Sequence, residues 1–161
     1  MTERPRAAAR KHHERPHVLI VSDDRSLSSF LAEGLPLGGF WTTVIASGLQ
    51  ALEVFRLRQF DLIVIDWSLQ SFDALELLRR LRGRSTRDRS AMPRTLAPIV
   101  LIAEQPIELA ANEQEILGVD AMLYAPLELD DVVRELHGIF GAWRAAHPDT
   151  PLADASSSLE R

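Results

Sequence analysis

Three uninterrupted apolar runs, Val18–Val21, Leu62–Ile65 and Ile99–Ile102, limit what this chain can fold into more than any other feature. Each is too short for a helix, is rich in β-branched side chains, and lacks the polar alternation of a half-solvated strand. A strand that is apolar on both faces has to be covered on both sides, and the intervening stretches are built to cover it. Leu27, Phe30, Leu31 and Leu35 recur at helical spacing after Asp24 or Ser26, either of which can cap a helix. Helices are predicted over about 49–58, with Leu52, Phe55 and Ala51 inward, and from Asp73 to about Arg82, with Leu75, Leu78 and Leu81 as the stripe. Another runs from Pro106 to Leu117 ahead of a capping Gly118, and a last one from about Asp130 to Trp143. Trp41–Ala46 and Met122–Tyr124 supply two more strands. Strands alternating with helices in this way predict an open parallel α/β sheet. Sites in such sheets lie beyond the carboxyl ends of the strands, where the strand order reverses. Asp23, Asp66, Ala103 and Ala125 all fall just past strand ends, so one shared pocket is expected.

The 161 residues suit one domain over 17–143, between a disordered basic tail at 1–16 and a flexible tail at 144–161. The 18 residues after Trp143 are too few for a further domain, so a stand-alone module is expected. There is no cysteine, no apolar stretch of membrane-spanning length and no secretory signal, and a cytoplasmic location is the expectation. Charge is unevenly spread. The net charge is −5, yet residues 1–16 sum to +3 and residues 82–94 to +4, leaving −12 on the rest. The second basic stretch lies in an Arg-rich loop, 83–98, which could dock a partner. Nucleic-acid binding by the basic segments is an alternative, but no aromatic residues interleave the arginines to stack on bases. Trp41 and Trp143 are read as peripheral packing.

VLIVSDD, DLIVIDWSLQSFDALELLRRLR, PIVLIA and GVDAMLYAPLELDDV together resemble the receiver domain of bacterial response regulators, over about residues 17–143. The strand-end Asp66, an aspartate seven residues later at Asp73, and Ala125-Pro126 carry the likeness along with the βα rhythm. The resemblance implies a flavodoxin-like, doubly wound (βα)5 sheet of five parallel strands. It also implies phosphoryl acceptance at Asp66, with Mg²⁺ held by Asp23, Asp66 and the carbonyl of Ser68. Mg²⁺ favours an octahedral set of hard oxygens, and phosphoryl transfer relies on positioning and charge neutralisation.

The departures from that pattern are as informative. Ser22 replaces one of the paired acids, and Asp24 would compensate only if the strand end shifted by a residue. Ala103 replaces a hydroxyl that bonds the phosphoryl group, Ala125 replaces its lysine, and Met122 replaces the aromatic ring that reports activation. Gln70 and Ala74 replace a proline and a glycine near the loop after Asp66, and the chain's only lysine is Lys11. The hydrogen bonds lost at Ala103 and Ala125 are worth roughly 2–4 kcal/mol together. Weak Mg²⁺ binding is therefore expected, with phosphorylation at Asp66 weakened or lost. The expected function is non-enzymatic signalling by contact with a histidine kinase or another signalling protein. A homodimer through the fourth helix, fifth strand and fifth helix is a further expectation from the resemblance. A phosphorelay intermediate using Asp66 and Mg²⁺ is the alternative. Phosphohydrolase chemistry at Asp66 would need a nearby general acid and a cationic clamp. The sequence has Ser68 where that acid would stand and lacks the clamp.

Overall fold

The computed structural model describes residues 15–88 and 92–153. Five strands, β1 (His17–Val21), β2 (Trp41–Ile45), β3 (Leu62–Asp66), β4 (Ile99–Ala103) and β5 (Val119–Tyr124), form one parallel sheet in the order β2-β1-β3-β4-β5. Five α-helices connect and follow them: α1 (Arg25–Gly34), α2 (Gly48–Val54), α3 (Ala74–Leu81), α4 (Ala111–Leu117) and α5 (Leu129–Ala146). A 3₁₀ turn, Leu35–Gly38, closes α1.

The apolar runs behave as two-sided strands. Because successive side chains point to opposite faces, Leu19, Val21, Ile63, Ile65 and Leu101 pack with α2, α3 and α4. Val18, Ile20, Leu62, Val64 and Val100 pack with α1, the 3₁₀ turn and α5 on the other face. β1, β3 and β4 are buried along their whole length, whereas the edge strand β2 exposes Trp41 and Val44.

The caps lie where the sequence puts them. Asp24, Ser47 and Asp73 accept the first amides of α1, α2 and α3, and Gly118 closes α4 in a left-handed conformation at φ 63°. Three helices differ from expectation. α2 stops at Val54 rather than near Arg58, the chain passing into turns from Phe55. α4 begins at Ala111 rather than near Pro106, since Ala110 supplies no capping side chain and 106–110 stay non-helical. α5 runs on to Ala146, and the chain after it returns to the sheet, where the Ala153 amide donates to Asp61 at 2.8 Å. Through residue 153 the expected C-terminal tail is therefore helix to Ala146, then exposed chain whose last residues, Leu152 and Ala153, return to the body, where Asp61 gives the backbone a buried acceptor. Residues 1–14 and 154–161, which hold most of the two expected tails, lie outside the described residues.

The arginines of the loop divide into two kinds. Arg82 donates to the carbonyls of Leu117 (2.7 Å), Thr95 (3.0 Å) and Gly118 (2.9 Å), tying the end of α3 to the end of α4 and to the approach to β4. Arg94 pairs with Asp88 at 2.9 Å. Arg84 and Arg87 are exposed, and Arg89 lies outside the described residues. Beneath the loop, Glu76 is buried and accepts from Arg80 (2.7 Å) and Ser85 (2.5 Å). Burial pushes its carboxyl pKa up, but those bonds and the charges of Arg80 and Arg87 prevail and hold it below the usual range.

Candidate functional site

Strand order reverses between β1 and β3, and Asp66 ends β3 beside that crevice. Its side chain is 3% exposed. A carboxylate this buried needs donors for its oxygens, and serines provide them. Ser22, just past the end of β1 and itself buried, donates its hydroxyl to Oδ2 at 2.8 Å. Ser68 donates both its amide (3.0 Å) and its hydroxyl (2.7 Å) to Oδ1. None of the ion pairs among the described residues includes Asp66.

The other strand ends approach as the sequence implied. The Ala125 amide donates to the Ala103 carbonyl at 2.9 Å, so the two alanines are neighbours across β4 and β5. Ala103 is buried, Ala125 is exposed, and the Ala125-Pro126 peptide is cis. Neither methyl group can donate a hydrogen bond, so neither alanine replaces the expected hydroxyl and ammonium. Met122 packs against the core, and its sulfur receives the hydroxyl of Tyr124 at 3.5 Å. The same hydroxyl oxygen accepts from the Ile107 amide at 3.4 Å. β5 thus carries its aromatic ring two residues beyond the position examined in the sequence, on the same strand face.

The remaining acids have structural work. Asp23 Oδ2 accepts the amides of Gln70 and Ser71, each at 2.9 Å, and so anchors the β3–α3 loop to the end of β1. Asp24 caps α1 through the amides of Ser26 and Leu27 (2.9 and 3.2 Å). β1 ends at Val21 with no shift of register, so Asp24 does not move into the place of Ser22. The carbonyl of Ser68 accepts from Gln70 Nε2 at 3.1 Å.

Sequence reading missed the hydroxyl contributions of Ser22 and Ser68, having weighed one as a lost acid and the other only as a carbonyl. A signal was available for Ser68. An aspartate followed two residues later by serine is an Asx-turn pattern, in which the carboxylate takes that residue's amide.

A sequence profile of the response regulator receiver domain matches residues 18–136, and the chain belongs to that family. It is 26% identical over 134 residues to the phosphate regulon transcriptional regulatory protein PhoB of Rhizobium meliloti, covering 83% of this chain and 55% of that protein. It is 24% identical over 115 residues to sporulation initiation phosphotransferase F of Bacillus subtilis, covering 71% of this chain and 86% of that one. The match to CseB of Streptomyces avermitilis, 36% identical over 73 residues, takes in 45% of this chain and 31% of that regulator. The chain thus spans about half or less of the transcriptional regulators PhoB and CseB. Among solved structures, the Francisella response regulator 1452 receiver domain superposes with a TM-score of 0.61 at 25% identity, covering 79% of this chain and 98% of that one. CheY4 of Vibrio cholerae shares the fold at a TM-score of 0.62 and 20% identity, with 77% and 98% covered.

Receiver domains typically bind Mg²⁺ at acidic residues near the phosphorylation site. The residues here fit that ion poorly. All three expected ligand groups, Asp23, Asp66 and the Ser68 carbonyl, are engaged by protein donors. Among the described residues no third His, Asp or Glu side chain joins them, so the ion would rest on two carboxylates, a carbonyl and water.

Proposed function

We propose that this receiver domain works in two-component signalling mainly as a contact module, with phosphoryl chemistry at Asp66 weakened or lost. The carrying observation is that Ser22 and Ser68 give Asp66 three hydrogen bonds, on both carboxylate oxygens. Both carboxylate oxygens are engaged by neutral donors, while Ala103 and Ala125 provide none for an incoming phosphoryl group. A phosphoryl group adds charge that must be neutralised in place, and among the described residues no ion pair reaches Asp66. A regulatory protein, such as a histidine kinase or another signalling protein, would then be recognised by surface contact. A homodimer through α4, β5 and α5 is part of the same reading.

A phosphorelay role is the second reading, favoured by the likeness to a phosphotransferase over 86% of that protein. Intact-mass spectrometry after incubation with acetyl phosphate and Mg²⁺ separates the two, with Asp66→Asn as control. The contact-module reading expects little or no adduct on the folded protein. A labile, Mg²⁺-dependent phosphoryl adduct that disappears in Asp66→Asn would establish the relay instead.

A further inference from the structure

At the end of the sheet opposite Asp66, two adjoining hollows of about 520 and 500 Å³ meet along Pro93, Leu96, Trp143 and His147. We propose that this groove docks an acidic segment of a partner protein that inserts a bulky apolar side chain. The proposal rests on the reading of the chain as a contact module, though not on the state of Asp66.

Apolar exposure is the first support. Leu96 is 68% and Ile116 52% exposed, and both line the same hollow beside the half-buried Trp143. Single exposed apolar residues are ordinary, but a concave group of them is what a partner's anchor residue fills.

The groove is also preformed. The three carbonyl bonds of Arg82 fix its walls to one another. The Trp143 indole donates to the Leu96 carbonyl at 3.1 Å and stacks on His147 with centroids 4.3 Å apart. Less ordering entropy is then lost on binding.

Charge selects the occupant. Across the two hollows the lining carboxylates are Asp120, which accepts the Ile99 amide at 3.0 Å, and Asp61, which accepts the His17 and Ala153 amides, against Arg82, Arg84 and the Asp88-paired Arg94. Arg84 is exposed and forms no ion pair with a carboxylate among the described residues. Of the described charges in this stretch, Arg94 is paired with Asp88, while Arg82, Arg84 and Arg87 have no carboxylate ion-pair partner among the described residues and leave a local basic excess on an acidic chain. A two-fold contact between copies would set arginines against arginines. An acidic partner segment meets complementary charge instead.

Panning random displayed peptides against the full chain, then titrating the winners by fluorescence anisotropy, tests this. Enriched peptides should be acidic with at least one bulky apolar residue, and should lose about tenfold or more in affinity against Leu96→Asp and Arg84→Glu. Both positions are exposed, so an unchanged melting temperature in each variant checks that it is folded. Basic or neutral winners, or equal binding to Leu96→Asp, would overturn the proposal. So would displacement by a DNA oligonucleotide independent of Leu96, or a dimer in sedimentation that Leu96→Asp dissolves. Winners that instead footprint on α4, β5 and α5 would sink this groove yet leave the contact-module reading standing. No winner on any face would count against both.

Discussion

Ser22 shows how a single side chain redirects a pocket. A second carboxylate at that position would lie against Asp66 and need a cation between them, whereas a hydroxyl donates to Oδ2 and makes the cation dispensable. Ser22→Asp should therefore lower the melting temperature without Mg²⁺, through like-charge repulsion in a buried site. Millimolar Mg²⁺ should recover much of the loss in the variant and leave the wild-type protein nearly unmoved. Thermal melts with and without the ion check this, and the same Mg²⁺ response in both proteins would refute it. Asp66 and Asp23 were legible as strand-end acids because their place in the βα rhythm is a matter of spacing. Their partners were not, since Ser22 and Asp66 are 44 residues apart and only the β1–β3 pairing brings them together.

Among the elements, α3 is fastened to its surroundings by one side chain. Arg82 lies in the basic stretch that reads as a solvated charge run, yet its guanidinium spans three carbonyls, from Leu117, Gly118 and Thr95. Burial lowers its pKa, and the charge of Asp120 works against that. Arg82→Ala should cost about 2–4 kcal/mol in urea unfolding, since several carbonyls lose a charged donor at once. Arg84→Ala, at an exposed neighbour, should stay within about 0.5 kcal/mol of wild type. Composition could not separate these two arginines, because both are charged residues in one run. The difference comes from the end of α4, which presents its carbonyls to one and not to the other.

Across the whole molecule, the end of the sheet opposite Asp66 carries its own titration. The His17 ring bonds Thr43 at 2.7 Å and Arg58 at 2.9 Å, and its amide donates to Asp61 at 2.7 Å. Burial, then the Arg58 charge, lowers its pKa from 6.5 to about 4. The unfolded chain therefore binds a proton between those values that the folded chain refuses, and stability falls as pH drops through that window. The loss amounts to about 3 kcal/mol. Asp61 works in the opposite sense. Burial raises its pKa against the amides of Ala153 and His17 and the charge of Arg144, so its contribution favours the fold at low pH and offsets part of the loss. The urea midpoint should fall from pH 6.5 to 4, and His17→Gln should flatten that slope. An unchanged slope in the variant would place the titration elsewhere. The sequence by itself determined the alternating strands and helices of an open parallel sheet and the strand-end placement of the acids, because apolar runs, caps and breakers act locally. Tertiary structure alone decided that serine hydroxyls donate to both oxygens of Asp66, that Arg82 clamps and Arg84 does not, and that the chain after α5 returns to Asp61. Each of those depends on atoms far apart in the chain, and only packing sets their distances.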